Sequence, residues 1–452
     1  MIKLSQPNDP SAQPQRSSLA SVGGATLVGA FIEWYDFFIY GIASALIFNK
    51  LFFPGFDPTV GILLSFAAFG SAWLVRPLGG LLFGYVGDRV GRKRALIITL
   101  VLMGTATIGV GLLPTYDQIG VWAPILLVAF RMVQGISAGG EWSGAAIMAT
   151  EHAPLGRRGL YGAFPQMGTP LALIAANGVS LLAYMIPEES LMTWGWRIPF
   201  LLSVPIIPLG YYIRRRLLET PDFVESQQSE SPEHNPLWQV VTAHWRAILV
   251  VFFANGALNA FFFTFTTYSL TYATSESGFT RQEALGALVV AALVHAPVAL
   301  LFGWLSDRVG RRRLFLLGLS LMVLAPFPVF FLIDTGNGFL FFLSLAIGFG
   351  VVHGSLWGIA SSYFTEMFPP AVRYSGSSIG FQFAGSIFGG PMPLIASTLV
   401  VAAGGAPWYL AAFVSGVCAV GLGVVFLAKN LSADQGMPEK AEERALGSTI
   451  SS

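Results

Sequence analysis

Five charged side chains stand inside long apolar runs of this 452-residue chain: Glu33, Asp36, Arg76, Arg131 and Glu141. Insertion scales put the penalty for such a group at the centre of a membrane helix at about 2.5 to 3.5 kcal/mol, so each is a functional candidate by default. Glu33 and Asp36 are spaced i, i+3 and share one helix face. At about 1.5 Å per residue, Asp36 is some 20 Å from the inner end of its helix and Arg131 about 15 Å from the outer end of its own, so both are near mid-membrane and pairing is feasible. In general a buried, isolated acid holds its proton and an acid held against a guanidinium gives it up, so making and breaking such a contact loads and releases a proton. The alternative is a permanent buried ion pair that fixes helix packing. Arg76, about 18 Å above the inner end of its helix, offers a bidentate fork for an anionic substrate. Otherwise it steadies the kink at Pro77 or pairs with Glu33 or Asp36. Glu141, ten residues after Arg131, approaches the inner surface, either as part of a gate or as packing.

Twelve apolar runs must position these groups, at about 20 residues per crossing. They cover 22–47, 59–86, 94–113, 121–149, 160–183 and 196–213, then 245–272, 283–305, 313–334, 338–364, 375–402 and 407–428. The expected organisation is a tail at 1–21, a six-helix half at 22–213, a linker at 214–244, a second six-helix half at 245–428 and a tail at 429–452. Composition agrees with lipid as the main solvent: 54% of residues are apolar, only 11% are charged, and mean hydropathy is +0.65. A net charge of +1 gives no field for nucleic acid. One cysteine, Cys418, excludes an internal disulfide and any CxxC site. Residues 1–18 lack the basic, apolar and small-residue regions of a signal peptide, so the first hydrophobic segment is expected to remain. No P-loop is present. Gly135-x-Ser137-x-Gly139 and Gly376-x-Ser378-x-Gly380 match the hydrolase elbow pattern, but both sit within apolar helical runs and read as packing surfaces.

With the N-terminus inside, 20 of the 25 Lys and Arg fall on cytoplasmic segments and three, Lys50, Arg197 and Arg281, on the outer side. The bias sets both termini in the cytoplasm. The halves also repeat each other. Gly84-Tyr-Val-Gly-Asp88-Arg89-Val-Gly91-Arg92 recurs 219 residues later as Gly303-Trp-Leu-Ser-Asp307-Arg308-Val-Gly310-Arg311, and Glu151 with Arg158 recurs as Glu366 with Arg373. Paired Asp, basic residues and small Gly suit a salt-bridged latch between the halves, extended by Glu151 with Arg158 and Glu366 with Arg373. A purely topological role explains the basic residues but not the paired Asp and Gly. Duplicated halves with a site between them are a transporter arrangement.

These doubled signatures resemble the major facilitator superfamily, whose loop between helices two and three reads G-x-x-x-D-R-x-G-R-R/K. Glu33-Trp-Tyr-Asp36-Phe-Phe38, Arg76-Pro-Leu-Gly-Gly80, Arg131-Met-Val-Gln134-Gly135, Gly139-Gly-Glu141-Trp142, Trp194-Gly-Trp-Arg197-Ile-Pro199-Phe200 and Glu219-Thr-Pro221-x-Phe223 narrow the resemblance to its metabolite:proton symporter family. That family includes carriers of shikimate, 2-oxoglutarate, citrate, and proline or betaine. The resemblance implies an all-α membrane protein of the major facilitator fold with two pseudo-symmetric six-helix halves. It implies alternating access driven by the proton gradient, with no cofactor and no metal. It also implies that Asp36, with Glu33 beside it, and Arg131 carry the coupling, that Arg76 grips an organic anion, and that the latch stabilises the outward-open state.

Polar groups that could tune the cavity are Tyr35, Tyr40, Gln134 and Gln166 in the first half and Asn255, Asn259, Tyr268, His295, His353 and Gln382 in the second. Any one of them more often joins helices than touches a ligand. The two histidines stand out because an imidazole titrates near neutral pH, against the plainer reading as satisfied structural groups. Apart from Arg246 and Arg313 at the cytoplasmic ends of their spans, the second half has no intramembrane Lys or Arg, which disfavours a di- or tricarboxylate and favours a monoanion, a zwitterion or a polyhydroxylated acid. The expected protein is therefore an inner-membrane monomer that imports a small organic acid or related metabolite with protons. The rivals are a proton-driven exporter of drugs or metabolites and a non-transporting receptor; an enzyme is disfavoured against both.

Overall fold

The computed structural model of the protein describes residues 19–154, 156–224 and 236–428, and among them the chain is helical with no strand. Eleven helical stretches are long and apolar enough to cross a membrane, and a bent pair makes a twelfth. In chain order they are α1 (Ala20–Ser44), α2 (Leu63–Arg89), α3 (Arg92–Leu112), α4 (Trp122–Glu151), α5 (Arg158–Ala183), α6 (Gly195–Arg216), α7 (Trp245–Ser275), α8 (Arg281–Val309), α9 (Arg311–Leu324 with Pro326–Asp334), α10 (Gly338–Thr365), α11 (Pro370–Ala402) and α12 (Trp408–Leu427). The 41° bend in α9 falls at Pro326, whose ring cannot donate to the preceding turn. Both hydrolase-like Gly-x-Ser-x-Gly patterns lie in helix interiors, in α4 and α11.

Packing follows one scheme in both halves. In the first, α1 lies on α5, α2 on α4, and α3 on α4 and α6; in the second, α7 lies on α11, α8 on α10, and α9 on α10 and α12. The two sets meet through α5 against α8 and α2 against α11. Among the described residues two π-helical turns, Thr264–Tyr268 in α7 and Ala346–His353 in α10, break the regular ladder, both in the second set. Each re-aims the side chains that follow it, and such turns recur at functional sites.

Several spans run past their expected ends. α6 continues through Arg216, so Arg214, expected as the first linker residue, is helical and buried. The long aliphatic stem of Arg lets a helix carry it below the surface while its head finds a partner. Further along the expected linker, Pro236–Ala243 forms a short helix, whereas 225–235, most of the N-terminal tail and the tail at 429–452 lie outside the described residues.

Candidate functional site

The first half holds a chain of buried acid–base pairs. Asp36 on α1 takes three donors: Arg131 on α4 at 3.2 Å, and Thr107 on α3 and Gln134 on α4 at 2.6 Å each. Gln134 also accepts from Arg131 at 3.2 Å, so the acid, the base and the amide form one closed network. Beneath the Arg131 guanidinium the Tyr40 ring sits 4.3 Å away. All of these groups are buried. One turn down α1, Glu33 pairs with Arg76 at 3.3 Å, and the Trp73 ring lies 4.0 Å from that guanidinium. Nearer the basic end, Glu141 is bound by Arg214 and accepts from Thr99 at 2.7 Å. These three pairs join helices of the same half, and among the described residues the hydrogen bonds and ion pair of Glu141 go to Thr99 and Arg214 of that half.

A cavity of about 550 Å³ opens between the halves at the end remote from the basic loops. It is built by α1, α2 and α5 from one side and α7, α8 and α11 from the other, and Phe37, Phe38, Phe69 and Phe263 give it an aromatic surface. None of the polar groups expected as substrate ligands lines it. Of the readings open for Arg76, this structure has the pairing one: the guanidinium meets Glu33 and does not line this space. Tyr35 donates to the Pro199 carbonyl at 3.0 Å, and Gln166 bridges Trp142 and Ser361. Asn255 donates to Phe381 O at 2.9 Å, Asn259 to Asn255 O at 2.8 Å, and Gln382 to Gly139 O at 2.9 Å. Tyr268 is buried and also off the cavity.

His295 on α8 and His353 on α10 come together, Nε2 to Nδ1 at 2.9 Å, both fully buried. One ring donates to the other. The outer nitrogens, Nδ1 of His295 and Nε2 of His353, have no partner among the described residues. Phe349 stacks on His295, and Phe262 and Trp357 pack on His353, so the pair lies under an aromatic layer that touches Phe263 of the cavity wall through Phe262.

Sequence reasoning missed the groups that do line the cavity, notably Asn177, Thr266, Thr267, Thr271, Thr274 and Arg281. Thr267, Thr271 and Thr274 are spaced i, i+4, i+7, a polar stripe on one face of an apolar helix that periodicity alone offered. In the sequence Arg281 reads only as an outer-side charge.

At the basic end the repeat becomes geometry. Asp88 accepts from the backbone N–H groups of Tyr374 and Ser375, at 3.1 and 2.8 Å, at the start of the long α-helical part of α11. Asp307 accepts from those of Gly159 and Leu160, at 2.8 and 3.0 Å, at the start of α5. Each carboxylate meets orphan donors and the positive end of a helix in the opposite half. Gly84 and Gly303 make this approach feasible, since a Cβ on Gly84 would run into Ser375 and one on Gly303 into Ala163 and Gly159. Gly91 and Gly310, at φ 118° and 101°, turn the chain into α3 and α9, a backbone that side chains strain. Arg92 is 3.5 Å from Asp88 and 3.8 Å from Glu151, and Arg311 is 3.1 Å from both Asp307 and Glu366.

Two expected pairings are corrected. Glu151 binds Arg373 of the other half at 2.7 Å instead of Arg158, and Glu366 binds Arg311 instead of Arg373. Arg158 turns to Asp222, 3.5 Å away, which also holds Arg373 at 2.8 Å. Asp222, just after α6, thus ties Arg residues of both halves together, a role the sequence reading left blank. Arg89 and Arg308 stay outside the network, exposed and lying over Tyr85 and Trp304. Burial holds the Glu366 carboxyl above the ordinary carboxylate range, with Arg311, Arg158 and Arg373 pulling it down.

The sequence profile of the Major Facilitator Superfamily matches residues 26–393 and 287–449. The chain is 36% identical over 399 residues to the shikimate transporter of Escherichia coli K12, covering 87% of this chain and 90% of that one. It is 39% identical over 384 residues to the inner membrane metabolite transport protein YhjE of the same organism, covering 83% and 86%. In fold it is similar to the proton:xylose symporter XylE bound to 6-bromo-6-deoxy-D-glucose, with a TM-score of 0.75 at 16% identity over 91% of this chain and 96% of that one.

Proposed function

The chain belongs to the major facilitator superfamily, and from that premise we propose that it is a proton-coupled symporter that imports a small organic acid or related metabolite by alternating access. As a member it is an inner-membrane transporter and not an enzyme. The observation that carries the coupling is the Asp36–Arg131–Gln134–Thr107 network, buried in the first half and close beneath the cavity wall at Phe37 and Phe69.

The basic end is taken as cytoplasmic, because Lys and Arg are retained there. The cavity then faces outward, and the Asp88 and Asp307 latches close the inner side. A substrate entering from outside meets the cavity before any charged pair. While Arg131 holds Asp36, the positive charge beside it favours the anionic form of the carboxylate. When the helices move and Arg131 withdraws, an isolated buried carboxylate becomes costly and binding a proton becomes the cheaper state. Proton uptake and release thereby follow the same helix motion that switches the open side. Glu33 with Arg76, one turn away, is the neighbouring pair able to share that motion. The protein works with the proton gradient alone, as a monomer, and needs no cofactor in this reading.

Reconstituted into liposomes with a pH dye inside, the protein is expected to acidify the lumen when substrate is added outside. Alkalinisation would make it an exporter by exchange, and binding without counterflow would make it a receptor.

A further inference from the structure

We infer that the outward cavity is a site for monocarboxylates with a ring-sized apolar body, whose carboxylate is held at the mouth by Arg281. This rests on the transport reading above and narrows its substrate class. Among the described residues Arg281 is the only charged one lining the cavity, and no acid lines it. It is exposed at the first turn of α8 and has no acidic partner within salt-bridge distance among the described residues. Glu283, the nearest carboxylate in sequence, is committed to the cap of its helix, accepting from Thr280 N and Oγ1 at 2.8 Å each. A guanidinium without a counter-ion beside a cavity of about 550 Å³, within the roughly 300 to 1,000 Å³ usual for small-molecule sites, is a ready partner for one anionic group.

The rest of the wall selects the body of the ligand. Phe37, Phe38, Phe69 and Phe263 offer hydrocarbon, which stabilises a ring and leaves a second carboxylate without a donor. The Phe37 ring is already engaged with those of Phe38 and Phe263 in edge-to-face contacts at 5.5 and 5.9 Å, so the aromatic faces are not arranged as a cage for a quaternary ammonium. The hydroxyls of Thr267 and Thr271 have no partner among the described residues, although those of Thr266 and Thr274 bond to their own helix. They can accept or donate to one ring hydroxyl. The buried Arg76 and Arg131 are neutralised by Glu33 and Asp36, so charge is recognised at the rim and not at mid-depth.

The test is equilibrium binding of labelled 4-hydroxybenzoate to the purified full-length protein, with no pH gradient, in competition with 4-hydroxybenzyl alcohol, terephthalate and glycine betaine. The expected order places 4-hydroxybenzoate well ahead of the other three. Arg281→Gln should weaken it about tenfold or more and leave the alcohol unchanged, while Arg281→Lys restores part of the loss. Thr267→Val should weaken it a few-fold relative to benzoate. Absence of binding, unchanged affinity in Arg281→Gln, or tighter binding of terephthalate or glycine betaine would overturn the assignment. Binding through Arg281 with no proton movement in liposomes would instead remove the symport reading and leave the site standing.

Discussion

At the basic end, Asp88 of α2 sits on the start of an α11 helix, and Asp307 of α8 sits on the start of α5 in the same way. At mid-membrane the likeness stops. The offset of 219 that separates Asp88 from Asp307 also separates Arg76 from His295, and the offset of 215 that separates Glu151 from Glu366 leads from Arg131 to Ala346. Where the first half keeps acid–base pairs, the second keeps two imidazoles and an apolar wall. A latch must open and close symmetrically between the halves, so both copies retain it. Proton binding needs one site only, and a second set of buried charges would add desolvation with no added task.

The largest break in this asymmetry comes from Asp36→Asn. Uphill accumulation in liposomes is expected to fall to background while substrate counterflow persists, because the amide keeps hydrogen bonds but cannot exchange the proton. The matching change in the other half, His295→Leu with His353→Leu, should leave accumulation intact, since it replaces a polar pair with two orphan nitrogens by packing of similar volume. Loss of coupling in the double variant would place a proton site in the second half.

The symmetric part is tested by Asp88→Asn against Asp307→Asn. Each removes a charge that accepts two backbone donors, contacts worth about 1.5 to 3 kcal/mol apiece when charged. Both should raise inner-side labelling of a cysteine placed at buried Ser378 by about tenfold, in a background where Cys418 is replaced. An effect of one variant alone would mean that only one latch bears the closure.

A smaller effect is expected from Arg76→Lys. With Arg76 on Glu33 and off the cavity, substrate affinity should hold within about twofold while thermal stability drops, because the planar fork over Trp73 is lost. A large loss of affinity would bring Arg76 back to the substrate.

The smallest is a pH effect at Glu366. Closure buries this carboxyl and raises its proton affinity, so proton uptake by it favours the closed inner side. That contribution is present on the acid side of its raised value and fades as pH rises through it, toward more inner-side labelling. Glu366→Gln should flatten this part of the labelling profile, and an unchanged slope would assign it to another group.

Fold class, span count and the duplicated loop motifs were legible in the chain, because apolar length and a repeat are one-dimensional properties. So was the Asp36–Arg131 pairing, since a buried charge needs a counter-charge at its own depth and few were on offer. Which nitrogen or carboxylate meets which was decided only in three dimensions. Glu151 chose Arg373 over Arg158 because closure brings the other half nearer than the neighbouring loop. Arg76 turned from the cavity because helix rotation, set by packing of α2 on α4 and α11, put Glu33 within reach. The Thr267 stripe and Arg281 became a site only when α7 and α8 were placed around a common space. Sequence determined which groups the membrane would tolerate and at what depth; rotation about each helix axis, which no run of residues encodes alone, decided which of them face one another.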